Sequence, residues 1–116
     1  MNPEVKKLWV AALRSGEYKQ GPGYLHWKDD YCCLGVLCDL HRKANPENDW
    51  NHLEPDSYLG ELSILPRTVA EWAGLDSANP KIGSAFATEH NDGDGTRPSI
   101  PQKDFNQIAD LIERNL

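Results

Sequence analysis

The sequence predicts an α+β fold: a small single domain of three to four short helices around a buried central helix, with a small antiparallel sheet or hairpins. Three observations carry this expectation. Apolar stripes at helical spacing open and close the chain, and residues 33–40 are apolar nearly all round. Eight prolines and nine glycines keep the elements between them short. A length of 116 residues suits one globular domain over 1–116, and four Trp, four Tyr and two Phe supply large side chains for its core.

Taken in order, Val5, Leu8, Trp9, Ala12 and Leu13 build one helical stripe, with Asn2 as cap, Pro3 in the first turn and Gly16 as stop. Residues 17–23 end in Gly21-Pro22-Gly23 and read as a connector. Tyr24-Leu25-His26-Trp27 alternates as a short strand, with Lys28-Asp29-Asp30 as its turn. Tyr31-Cys32-Cys33 then returns as a second strand or runs directly into a helix. Residues 33–40, interrupted only by Gly35 and Asp39, form the central helix, closing on the cations of His41-Arg42-Lys43. The N-terminal helix is expected to cover it through Leu8 and Trp9, and the C-terminal helix through Ile108 and Ile112. Gly35 marks a close backbone approach.

Residues 45–56 read as a polar surface loop containing Trp50, and 58–65 as one short strand. Pro66 opens a helix with Val69, Ala70, Trp72 and Ala73 inward and Gly74 as its stop. For residues 82–88, periodicity leaves strand and short helix open. Residues 91–101 are Gly/Pro/Asp-rich and read as a loop, and 103–115 as a final helix with Phe105, Ile108, Ala109, Leu111 and Ile112 on its apolar face.

A net charge of −6 and a pI near 5.1 oppose non-specific binding to nucleic acid or anionic lipid, which draws on clustered Lys and Arg. Acidity serves solubility first, and leaves room for a basic partner. The start of the chain lacks a basic leader followed by an apolar core, and no apolar run is long enough to span a bilayer, so neither a secretory signal nor a membrane is expected. Three cysteines, two of them the adjacent Cys32 and Cys33, make a poor disulfide framework and point to the reducing cytoplasm.

The candidates for chemistry are few. Cys32 or Cys33 at a helix N-terminus would feel the positive end of the dipole, with His90 and Asn91, or His52, as base and orienting group. The plainer use of these cysteines is burial as small apolar side chains. Cys33, Cys38 and His41 lack the paired-cysteine spacing of structural zinc sites, so no metal is expected. Asp92 begins a string that fails the calcium-loop pattern at Arg97 and Lys103. No nucleotide-binding glycine motif occurs, and no cofactor is expected. Tyr24, Trp27 and Trp50 sit among polar neighbours and are the candidate ligand- or partner-binding residues, since Tyr and Trp are enriched in interfaces and stacking sites.

Five strings occur together: Ala12-Leu13-Arg14-Ser15-Gly16-x-Tyr18-x-Gln20, Tyr31-Cys32-Cys33-Leu34-Gly35-Val36-Leu37-Cys38-Asp39-Leu40, Leu65-Pro66-x-x-Val69-x-x-Trp72-x-Gly74-Leu75, Asn91-Asp92, and Phe105-x-x-Ile108-Ala109-Asp110-x-Ile112-Glu113. In these the chain resembles a family of small uncharacterised proteins of tailed bacteriophages and prophages, over nearly its whole length, with a longer loop at 94–102. The resemblance implies a phage accessory protein in the host cytoplasm that binds a host protein, as a host-takeover or counter-defence inhibitor. The residues alone leave two alternatives: a small-molecule binder or nucleotide sponge built on Tyr24, Trp27 and Trp50, and a cysteine hydrolase or transferase.

Overall fold

Helix α1 spans Pro3–Arg14, and it begins where the sequence caps it. Asn2 Oδ1 accepts from the amides of Glu4 and Val5 at 2.9 and 3.4 Å, and Pro3 occupies the first turn. Val5, Trp9, Val10 and Leu13 are buried, whereas Leu8 is 50% exposed. One residue before Trp9, Leu8 is turned roughly 100° round the helix, and Val10 takes its expected place. These coordinates come from a computed structural model, which describes residues 1–93 and 101–116.

Strands β1 (Lys19–Gln20), β2 (His26–Trp27) and β3 (Asp30–Tyr31) form a sheet in the order β1-β3-β2. The β2–β3 hairpin is antiparallel, with His26 opposite Tyr31; Asp30, expected in the turn, begins β3, and Cys33 already belongs to the following helix. β1 arises inside the expected connector and pairs in parallel with β3, so the sheet is mixed. Gly21 permits this, since a Cβ there would stand 2.5 Å from Asp30 Cβ, and its amide donates to Tyr31 O at 2.9 Å.

Helix α2, Cys33–Ala44, follows β3 directly, with residues 33–39 and His41 buried. Its fit depends on Gly35, where a Cβ would lie 1.7 Å from Leu25 O. Trp9 Nε1 donates to Cys33 O at 2.9 Å and fastens α1 to the start of α2. The other covering is not the C-terminal helix. Helices α3 (Arg67–Ala73) and α4 (Ala87–Asp92) pack on α2, while α5 (Phe105–Asn115) packs chiefly on α1 and less on α4 and β4. Ile108 and Ile112 are fully buried there, and Arg14 on α1 reaches Asp110 and Glu113 on α5 at 2.6 Å each.

Strands β4 (Lys81–Ile82) and β5 (Ala85–Phe86) make an antiparallel hairpin that passes straight into α4, so residues 82–88 are strand and then helix. Asn91 and Asp92 close α4 rather than open a loop. The rest of the expected loop over 91–101, with its lengthened stretch, falls largely on 94–100, outside the described residues. Between α2 and α3 the expected strand over 58–65 reduces to a single bridge, Tyr58 to Glu61. The chain around it is tied to β2 and to the residue before it: Asp56 N donates to His26 O at 3.0 Å, and Leu25 N to Leu62 O at 2.7 Å. No helix among the described residues is long and apolar enough to cross a membrane.

Candidate functional site

All three cysteines are free and buried. Cys32 caps α2 with its sulfur, which accepts from Gly35 N at 3.3 Å. Burial outweighs that bond and the neighbouring amides, pushing the Cys32 thiol up to about 12, and burial likewise holds Cys33 and Cys38 well above the ordinary thiol value. The expected activation by the helix N-terminus is therefore reversed, because desolvation of a thiolate costs more than the dipole returns. Nor does a base meet them. Cys33 Sγ points at Ala87 O at 3.6 Å, and buried His90 donates from Nε2 to Ile82 O at 2.8 Å. His52 lies with its side chain 66% exposed beside Asp56. Among the described residues no group of three His, Cys, Asp or Glu could hold a metal ion.

Asn91, expected as an orienting group for a catalytic histidine, is fully buried and does something else. Its Oδ1 accepts from Cys33 N at 3.0 Å and Gln20 Nε2 at 3.1 Å. Its Nδ2 donates to Gly21 O at 3.1 Å and to Asp92 Oδ1 at 2.7 Å. Gln20 also donates to Lys103 O at 2.8 Å, and Asp92 accepts from Gly23 N at 3.1 Å. Asn91 thus locks the start of α2 to β1, to α4 and to the lead-in of α5.

A second buried polar centre is Asp39, 4% exposed. It accepts from Tyr18 OH at 2.7 Å, Arg42 Nε at 2.8 Å and Trp50 Nε1 at 3.0 Å. Burial raises the carboxyl, but hydrogen bonds from Arg42, Tyr18 and Trp50 outweigh it and hold Asp39 below its ordinary value. Sequence reasoning passed over this centre. Its signal was a lone acid inside an otherwise apolar helix, since a buried carboxylate demands partners.

Trp50 is thereby removed from the candidate binding residues. It is 6% exposed, and its ring packs against His26, Tyr31 and Tyr58 at 5.0, 6.0 and 5.0 Å. The chain continues from Tyr58 to His41 and on to Trp72, at 5.7 and 5.2 Å. His26 stacks on Tyr31 at 4.1 Å, and its Nδ1 lies 2.8 Å from Asp56 Oδ2, at an angle that leaves that nitrogen without a hydrogen bond.

Tyr24 and Trp27 do come together, edge to face at 5.5 Å, and Lys28 Nζ sits 5.7 Å from the Trp27 ring. With Gly21, Pro22 and Asp30 they line a cleft of about 240 Å³, and Trp27 is 44% exposed. Seven large apolar residues are exposed among the described residues, and five of them, Trp27, Leu53, Leu59, Leu62 and Ile64, lie on β2 and on the 53–64 segment bonded to it. Among the described residues, the non-glycine residues with positive φ are Lys28 at 57°, directly after β2, and Leu59 at 49°, within the 53–64 segment.

The molecule is thus a small α+β domain with polar centres built on buried Asn91 and Asp39 and with exposed apolar residues on β2 and the 53–64 segment. The family described as Domain of unknown function (DUF8296) matches residues 1–116, and the chain belongs to it. No curated protein and no solved structure matches the chain.

Proposed function

We propose that the protein is a non-catalytic binding domain, a phage-encoded accessory protein that captures a host protein in the host cytoplasm. The observation that supports this is the exposure of Trp27 on β2 and of Leu53, Leu59, Leu62 and Ile64 on the segment hydrogen-bonded beside it, since exposed apolar and aromatic side chains are the usual anchors of protein interfaces. The resemblance to phage proteins supplies the setting, and the burial of all three thiols speaks against cysteine chemistry. Affinity capture from host lysate tests it, comparing the wild type with a folded Trp27→Ser/Leu62→Ser variant. A discrete partner held by the first and lost by the second is expected. Equal retention, or none by the wild type, overturns the proposal.

The Tyr24–Trp27–Lys28 cleft supports a second reading, a small nucleotide stacked on Trp27 with its phosphate toward Lys28. Nucleotides, cyclic ones included, would then raise the melting temperature by mass action, and Trp27→Ala would abolish the shift. A panel without any shift removes this alternative.

A further inference from the structure

The acidity of this protein is not spread evenly. Residues 45–64 contain Glu47, Asp49, Glu54, Asp56 and Glu61 and neither Lys nor Arg, so this segment holds all but one of the chain's net negative charges. Asp56 turns inward to His26, while the other four keep access to solvent. The same segment carries Leu53, Leu59, Leu62 and Ile64, exposed by 62, 44, 43 and 38%. At its end a cleft of about 410 Å³ opens toward α3, lined by apolar Ile64, Leu65 and Leu75 and by acidic Glu61, Glu71 and Asp76. Arg67, the one cation at the cleft, is held by Glu71 at 2.9 Å.

We infer that this segment docks a basic, apolar-anchored amphipathic polypeptide segment of a partner protein, in which Lys or Arg are interspersed with large apolar side chains. The inference rests on the binding role proposed above and names the partner's chemistry. Exposed leucines supply anchors, and the carboxylates of the same segment and cleft select the sign of charge that approaches. A second copy of the chain would set acid against acid, and nucleic acid or an anionic membrane would be repelled by the same groups. A basic amphipathic segment satisfies both features at once.

The probe is a synthetic amphipathic peptide of Lys and Leu at helical spacing, beside versions with Gln or Glu for every Lys. Fluorescence anisotropy reads affinity, and amide shifts of the full-length protein read location. The Lys peptide should bind about tenfold or more tighter than the Gln peptide, and weaken as salt rises from about 50 to 500 mM. Shifts should centre on Trp27 and residues 53–64. Glu54→Lys/Glu61→Lys should lower affinity about tenfold, and Leu62→Ser comparably, with circular dichroism unchanged. Equal binding of the Lys and Gln peptides overturns the inference, as do shifts centred on Asp110 and Glu113 of α5 or indifference to the double charge reversal. The lysate experiment separates the two levels. A host partner lost on Leu62→Ser but kept on Glu54→Lys/Glu61→Lys preserves the binding face and eliminates the basic class.

Discussion

Replacing Asp39 by Ala removes the acceptor of three hydrogen bonds at once, from Tyr18, Arg42 and Trp50. One of those donors, the Trp50 indole, is buried, and Arg42 would lose the partner of its charge, so the loss should reach roughly 3–5 kcal/mol in a urea melt. Asp39→Asn keeps one acceptor oxygen and should cost less. Tyr18→Phe removes a single bond to a charged group, about 1.5–3 kcal/mol. Losses of equal size for Asp39→Ala and Tyr18→Phe would show that Asp39 is no shared centre. Acid also acts through single residues. His41 shares a 2.6 Å hydrogen bond with Tyr58 OH, and burial holds it below its ordinary 6.5, against the opposing pull of Glu47. The unfolded chain therefore binds this proton first, so its contribution is intact above 6.5 and declines as pH falls below it. Asp39 follows lower down: its folded value lies beneath 3.8, so its contribution fades only as pH drops below that. Urea midpoints against pH should show the first decline, and a His41→Asn variant should show a shallower one; identical slopes would exclude His41 as its source.

At the scale of elements, α2 is the test. Leu37 is fully buried, and Leu37→Ala should cost about 2–5 kcal/mol, whereas exposed Lys43→Ala should stay within about 0.5 kcal/mol. Gly35→Ala should be worse than either, because its methyl would meet the Leu25 carbonyl, a backbone atom that cannot step aside. A folded Gly35→Ala variant of wild-type stability would refute this packing. That helix was legible in the sequence for a physical reason: a stretch with no polar face has to be buried, and a glycine inside it has to serve an approach. What covers it was not legible. An apolar stripe on α5 says that the helix packs, not on which neighbour, and here α1 takes it through Arg14 and the buried side chains. Strand β1 was hidden similarly, since two residues inside a connector leave no alternation to read. Of the candidate site, Tyr24 and Trp27 are singled out in the sequence because polar neighbours flank them, and the structure brings their rings together. Trp50 has the same kind of neighbours, but its indole nitrogen finds Asp39 and the ring goes inside.

For the whole molecule, thiol chemistry separates the folded from the unfolded state. None of the three cysteines should alkylate quickly near neutral pH while the fold is intact, given thiols that are buried and raised. Denaturant should release all three together, and one fast native thiol would show that burial does not hold it back. Asn91 has a further consequence, and it concerns time rather than stability. The first amides of a helix lack partners within it and ordinarily exchange with solvent through fraying. The amide of Cys33, in the first turn of α2, instead donates to a side chain 58 residues away, on an element that forms no part of that helix. Local fraying of α2 cannot free it while Asn91 stays in place beneath Gln20 and Gly21. In deuterated water the Cys33 proton should therefore persist among the slowest in the protein, leaving only when the distant halves of the chain part.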